Sequence, residues 1–289
     1  MLKRERVCMN YKTVKELGVG SAGDAYLLED GKVIVIGKRE DSFQNYQSMF
    51  EKMRVLDGKI SAVNYPKFYE LISPCNDYPY GAVVEEYIAG DELRKYKPKL
   101  DEAKKEEIGK VLAQFIQQVH NIKAEGNKAE EIAINLAKFD KSLAILQDFL
   151  SAEILNKLAK IKSDYLNLMQ SKDFCITHGD LNAGNIMIKE DGSVSGVIDF
   201  GNMEYYIPEI EFVHMYFFDK TIYESMVSYY SRQIKDADVV LLELVVNVRH
   251  FKNIKNFEDR KNNCLNNIKK LLNEYLYIKN ANKNYLEVK

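Results

Sequence analysis

The sequence predicts an α+β chain in which a small antiparallel β-sheet comes first and a mostly helical region follows. Three observations carry this prediction. Short apolar runs separated by glycine turns fill residues 11–88, the pattern of antiparallel strands. Beyond residue 100, apolar side chains instead recur every three or four positions, as on one face of a helix. Between helical stretches lies one late hairpin, 186–188 and 194–198 about a turn at Asp191-Gly192, and it brings Asp180, Asn185 and Asp199 to one end.

Taken in order, Tyr11 to Leu17 is extended and leads into Gly18-Val-Gly20-Ser21-Ala-Gly23. Apolar Leu27-Leu28, an Asp30-Gly31 turn and the run 32–36 then complete three antiparallel strands. Residues 42–56 form a helix capped by Asp41 or Ser42, with Phe43, Tyr46, Phe50, Met53 and Val55 as its apolar contacts. Strands at 68–72 and 82–87 bring the sheet to five. Helical spacing sets in after Asp101, a candidate N-cap, with Ile108, Val111, Leu112, Phe115, Ile116 and Val119 on one face and His120, a structural residue, at its end. Helices follow at 129–150 and, capped by Ser151, at 151–169. From Ser228 onward the chain is again helical, with an apolar interior at 239–248 and a stripe of Leu265, Ile268, Leu272 and Tyr275.

The 289 residues suffice for two modest cores sharing a cleft, and the division expected is 1–88 and 89–289. A composition of 46% hydrophobic and 29% charged residues leaves no long disordered tract. The net charge of −2 provides no general attraction to nucleic acid or an anionic membrane. No apolar run is long enough to span a bilayer, and Met-Leu-Lys-Arg-Glu-Arg is not a signal peptide, so a cytoplasmic chain is expected. Cys8, Cys75, Cys175 and Cys264 are scattered, which predicts neither a zinc site nor a disulfide framework. A monomer is expected.

Two carboxylates and an amide oxygen at the end of the hairpin form an all-oxygen donor set, suited to hard Mg²⁺ ions that also bind phosphate. Gly18-x-Gly20-x-x-Gly23 is followed by a strand rather than a helix. That placement excludes a dinucleotide-binding fingerprint and fits a hairpin whose backbone N–H groups close over phosphates. Between residues 204 and 224, five acidic side chains (Glu204, Glu209, Glu211, Asp219 and Glu224) face a single Lys220 among seven aromatics. Such a segment could attract a polyamine, or it could be an amphipathic stretch with its rings in the core.

His178-Gly-Asp180-Leu-Asn-Ala-Gly-Asn185, followed by a strand ending Ile-Asp199-Phe-Gly201, resembles the catalytic and metal-binding loops of the kinase-like superfamily. In its His-Gly-Asp-Leu-x-x-Gly-Asn form it is similar to the aminoglycoside phosphotransferase family, which stands beside choline, homoserine and methylthioribose kinases. The resemblance runs from about Tyr11 to about Tyr277. It implies a bilobal protein-kinase-like fold, with a small antiparallel sheet as N-lobe and a mostly helical C-lobe. It further implies transfer of the γ-phosphate of ATP or GTP, with Mg²⁺, to a hydroxyl of a small cationic acceptor, an aminoglycoside antibiotic, conferring resistance. By resemblance Asp180 is the base, Asn185 and Asp199 hold Mg²⁺, and His178 supports the loop. Gly18, Gly20, Ser21 and Gly23 cover the phosphates, while backbone groups of Glu86 and Ile88 bind the purine. Glu204, Glu209, Glu211 and Glu243 are the acceptor candidates. One departure stands out: the family's strand lysine falls on Val35 and its helical glutamate on Met49, with Lys38 and Glu51 the nearest substitutes. Rival readings are a metabolic kinase for choline, homoserine or a sugar, and a non-catalytic nucleotide-binding pseudokinase.

Overall fold

The computed structural model describes residues 11–20, 23–123, 126–254 and 258–287, with side chains to residue 281. β1 (Thr13–Val19), β2 (Gly23–Leu28), β3 (Lys32–Gly37), β4 (Phe68–Ile72) and β5 (Ala82–Glu86) form one antiparallel sheet in the order β1-β2-β3-β5-β4. Alternation along the strands gives this sheet two different faces. Leu28, Ile34, Ile72, Ala82 and Val84 gather with Tyr78 in a small core on one side. Val33 and Val35 pair with Glu85 and Val83, and these four residues share the opposite face.

Against the sheet packs α1 (Ser42–Met53), which continues as a 3₁₀ turn over Arg54–Leu56. Its expected cap takes a different form. Asp41 already has helical backbone angles and makes no capping bond, whereas Ser42 Oγ accepts the N–H of Arg39 at 3.1 Å. The hydroxyl thus closes the loop from β3 instead of the first helical turn.

After β5 the chain runs through Tyr87–Gly90 into β6 (Asp91–Glu92), which joins β8 (Ile186–Ile188) and β9 (Val194–Val197) in a second sheet, order β6-β8-β9. The connection out of the first sheet is therefore fastened to the late hairpin. The loop before β4 is tied to it as well: Val197 N–H donates to Asn64 O at 2.9 Å, and Asn64 Nδ2 donates to Ser195 O at 2.9 Å. Gly196 makes this approach possible, since a Cβ there would stand 2.5 Å from Asn64 O.

The remainder is helical. α2 (Leu93–Tyr96) is short, and α3 (Glu102–His120) is capped as expected, with Asp101 Oδ1 accepting the Lys104 N–H at 2.8 Å. α4 (Lys128–Leu146) and α5 (Ala152–Ser171) follow, and then β7 (Cys175–Thr177) pairs with β10 (Glu204–Tyr206). α6 (Val213–Phe218), α7 (Lys220–Tyr229), α8 (Asp236–Phe251) and α9 (Glu258–Glu287) complete the chain. Phe115, Phe139, Tyr165, Tyr206 and Phe212 lie fully inside the large core of this part. The rings of the 204–224 segment largely face this core: Tyr206, Phe212 and Tyr223 are buried, Tyr205, Tyr216 and Phe218 pack against it partly buried, and Phe217 is the exposed one. Cys175 and Cys264 are free and buried, but Cys75 is disulfide-bonded, which corrects the expectation that the scattered cysteines stay unpaired. Spacing alone could not reveal that pairing. Among the described residues no helix is long and apolar enough to cross a membrane.

The seam at Gly196 is testable. Gly196→Ala should cost about 1–3 kcal/mol in urea unfolding, because the methyl group must push the Asn64 carbonyl away; wild-type stability would contradict the tight approach.

Candidate active site

The loop between β7 and β8 is built around a left-handed glycine and a buried histidine. Gly179 has φ +78°, and a Cβ there would collide with Asn202 O. His178 is fully buried, its ring edge-on to Phe200 at 4.6 Å between centroids. Its Nδ1 accepts the Asp180 N–H at 3.3 Å and its Nε2 lies 3.1 Å from Ile198 O, which together specify the tautomer with the proton on Nε2. The histidine thereby bonds the start of the loop to the end of β9. From outside, Glu211 Oε1 accepts the backbone N–H of His178 and, at 3.4 Å, that of Gly179.

Asp180 emerges from this frame with its side chain 26% exposed. Its Oδ1 faces Asn182 Nδ2 at 2.8 Å and His214 Nε2 at 3.2 Å, whereas among the described residues Oδ2 meets only Asn202 Nδ2, at 3.3 Å. Burial pushes this carboxyl up, but the His214 and Asn182 hydrogen bonds outweigh it and hold the group below its ordinary range. His214 is the reciprocal case. Burial pushes it down, while the bond to Asp180 and the charge of Glu243 more than compensate and raise it. An ionised carboxylate with one lightly engaged oxygen can accept a proton from an alcohol.

Asn185 Nδ2 donates to Asp180 O at 2.8 Å, so the amide is oriented with Oδ1 as its remaining oxygen. Asp199 is the only non-glycine residue with positive φ among the described residues, at φ 63° and ψ 70°. This conformation costs on the order of 1 kcal/mol, and it turns the chain at the end of β9 where an extended residue would continue the strand. Asn185 and Asp199 together offer a hard, all-oxygen pair. That donor set fits a divalent cation which completes its shell with phosphate oxygens and water.

Across the cleft, the glycine hairpin has Gly20 N–H donating to Gly23 O at 2.9 Å. A Cβ on Gly23 would strike Tyr46 Oη, and one on Gly20 would lie 2.8 Å from Gly23 O, while Gly18 has open space around it. Ser21 lies outside the described residues. Lys38 does not pair with Glu51, which is exposed; its Nζ sits 2.6 Å from Asp24 Oδ1 and 3.4 Å from Gly20 O. The lysine lies just past β3, beside the glycine hairpin, and α1 turns Glu51 to solvent. Val35 opposes Val83, and Met49 packs on the core, so both positions of the expected lysine–glutamate pair are apolar. Tyr46 reaches from α1 into this space, its hydroxyl pushed up to about 12 by burial and then by the charge of Glu85. The Ile88 N–H has no protein partner among the described residues, whereas the Glu86 N–H donates to Lys67 O at 2.9 Å.

Of the four acidic acceptor candidates, two are interior groups. Pro208–Phe212 forms a 3₁₀ turn whose five residues are all buried. In it Glu209 pairs with Lys172, and Glu211 holds the loop after β7, so neither is presented to an acceptor. Glu204 is half-buried on β10 and is raised by burial, with Arg249 opposing. Glu243, on α8, accepts from Asn247 Nδ2 at 2.8 Å; burial raises it, and the charge of His214 opposes. Three residues of the site escape the motif: Asn182, His214 and Glu85. Strand alternation could have found Glu85, since it shares a face with Val83 and Val33. Burial and then the charge of Asp199 push its carboxyl up to about 8.

This buried carboxyl has a measurable consequence. In the unfolded chain Glu85 ionises near 4.5, yet in the fold it remains neutral up to about 8, so stability declines as pH rises between those values. Glu85→Gln should match the wild-type Tm near pH 4 and exceed it by several degrees near pH 9, at roughly 2–4 °C per kcal/mol. An equal difference at both pH values would contradict the assignment.

A model of the phosphotransferase enzyme family matches residues 13–238. Hydroxylysine kinase of Mus musculus is 30% identical over 127 residues, 38% of this chain and 34% of that protein, so the match spans about a third of that relative's length. Among solved structures, the GDP complex of wild-type aminoglycoside 2'-phosphotransferase-IIIa aligns with a TM-score of 0.75 at 16% identity, covering 92% of this chain and 94% of that one. ADP-bound aminoglycoside phosphotransferase APH(2'')-Ib gives 0.68 at 18% identity, with 91% and 93% covered. The macrolide 2'-phosphotransferase from Brachybacterium faecium gives 0.64 at 12% identity, with 89% and 92% covered. These likenesses establish the bilobal kinase-like fold. With the family model covering most of its length, the chain belongs to the phosphotransferase enzyme family.

Proposed function

We propose that this chain phosphorylates a hydroxyl of a small cationic acceptor, an aminoglycoside, with ATP or GTP as donor and Mg²⁺ at Asn185 and Asp199, and so confers resistance. The observation that carries the reading is Asp180: an ionised, partly exposed carboxylate on the same hairpin as the cation pair, with Oδ2 lightly engaged. Asp180 takes the proton of the acceptor hydroxyl, and Asn185 and Asp199 hold the metal that neutralises charge on the transferring phosphoryl group. The glycine hairpin covers the phosphates, Lys38, whose Nζ lies 3.4 Å from Gly20 O, is the candidate cation beside them, and the Ile88 N–H, without a partner among the described residues, takes the purine edge. Support for a cationic acceptor comes from Glu243 beside His214 and from the kanamycin and gentamicin complexes among structures of similar fold.

A second reading has its own support. The mouse relative acts on hydroxylysine, an amino alcohol that also places an ammonium near a hydroxyl, so a metabolic amino-alcohol kinase fits the same site. The apolar pair Val35 and Met49 is the feature that favours a non-catalytic nucleotide-binding chain.

One assay separates these readings. ATP and GTP are offered with kanamycin, gentamicin, streptomycin, hydroxylysine, choline and homoserine, with Asp180→Ala as control. We expect aminoglycoside phosphorylation, lowered by about 10²–10⁴ in Asp180→Ala with nucleotide affinity retained. Turnover on hydroxylysine, choline or homoserine alone would replace the resistance reading. Bound nucleotide without any turnover would favour the non-catalytic chain, and near-normal turnover in Asp180→Ala would remove Asp180 as the base.

A further inference from the structure

His214 is the second residue of α6, distant in sequence from the catalytic loop, yet its Nε2 stands 3.2 Å from Asp180 Oδ1. Carboxylates face it from three elements: Asp180 from the loop, Glu243 from α8 and Glu211 from the 3₁₀ turn before α6. That surrounding favours imidazolium, in which Nε2 is a donor. The two oxygens of Asp180 are consequently unequal. Among the described residues Oδ1 receives both His214 and Asn182, while Oδ2 receives only the longer contact from Asn202.

Resting on the reading of Asp180 as the base, we propose that His214 is a positioning residue that acts through it: by donating to Oδ1 it fixes the carboxylate rotamer and leaves Oδ2 as the oxygen that takes the acceptor proton. In the step, the acceptor O–H bond breaks and its proton passes to Oδ2. The acceptor oxygen bonds to the γ-phosphorus, and the bond from that phosphorus to the bridging oxygen breaks with its electron pair leaving on the nucleoside diphosphate. His214 keeps its own proton throughout. Asn182 alone cannot hold the rotamer in this way, because it comes from the same loop and moves with Asp180, whereas His214 is anchored on a helix packed against α7 and α8.

The test compares His214→Gln, which keeps an N–H donor, with His214→Leu, which keeps bulk without one. Turnover is read with kanamycin as acceptor and, independently of the acceptor's identity, with water in ATP hydrolysis. We expect His214→Leu to lower kcat about 10- to 100-fold while the KM for nucleotide and the Tm hold, and His214→Gln to recover most of the loss. In the wild-type chain, the ¹⁵N signals of the His214 imidazole should report a proton on Nε2 that changes environment in Asp180→Asn. Equal kcat in all three proteins, or a loss that Gln does not restore, would overturn the proposal, as would imidazole signals indifferent to Asp180→Asn. If instead Asp180→Ala itself retains turnover, the base reading has failed and not the role of His214 within it.

Discussion

The interaction on which the site depends is the buried carboxylate of Glu211 accepting the backbone N–H groups of His178 and Gly179. A carboxylate taken out of water is costly unless its oxygens find donors; here Oε1 finds them in the first two amides of the loop after β7, while Oε2 is buried without a partner among the described residues. On Oε1 the arrangement works in both directions: the amides satisfy that oxygen, and the oxygen holds the loop. Behind Glu211, His120 Nε2 approaches its Oε1 at 3.8 Å, and His120 Nδ1 meets Tyr230 Oη at 2.7 Å, so the anchor reaches the end of α3 and the chain beyond α7. The 3₁₀ turn Pro208–Phe212 that carries Glu211 is wholly buried, which leaves the carboxylate little freedom to drift.

With the loop held, the rest of the site follows from what each strand end can present. Asp180 rises from a left-handed glycine, Asn185 is oriented by the Asp180 carbonyl, and Asp199 is turned off β9 by a backbone conformation that only a local constraint sustains. The opposite rim is chemically different. Val35 leaves the inner face of the sheet without its lysine, Tyr46 and Glu85 line that space, and Lys38 is engaged by Asp24. In the proposed reading, phosphate binding would therefore lean on Asn185, Asp199 and backbone amides more than on a strand lysine.

Much of this was legible in the sequence because it is local. The five strands follow from alternation and glycine turns, and the cap of α3 from Asp101. The order of Asp180, Asn185 and Asp199 along one hairpin is written in consecutive residues. The rest depends on contacts between distant segments. Glu209 and Glu211 read as surface acids because their 3₁₀ turn has no periodicity to mark it as buried, and their partners, Lys172 and the loop amides, come from elsewhere in the chain. His214 sits in an aromatic stretch with nothing nearby to connect it to Asp180. Glu51 was the partner expected for Lys38, and only the strand register, which sets Asp24 opposite Ile36 beside the lysine, shows that Asp24 takes its place.

The most direct measurement is amide hydrogen exchange at His178 and Gly179, read together with turnover, in wild type and Glu211→Gln. The neutral side chain keeps the shape but loses the charge that strengthens both bonds. If Glu211 holds the loop, these two amides belong to the slowest-exchanging class in the wild-type chain; in the variant they exchange faster and kcat falls, while nucleotide still binds. Unchanged exchange at both amides with unchanged turnover would contradict the account.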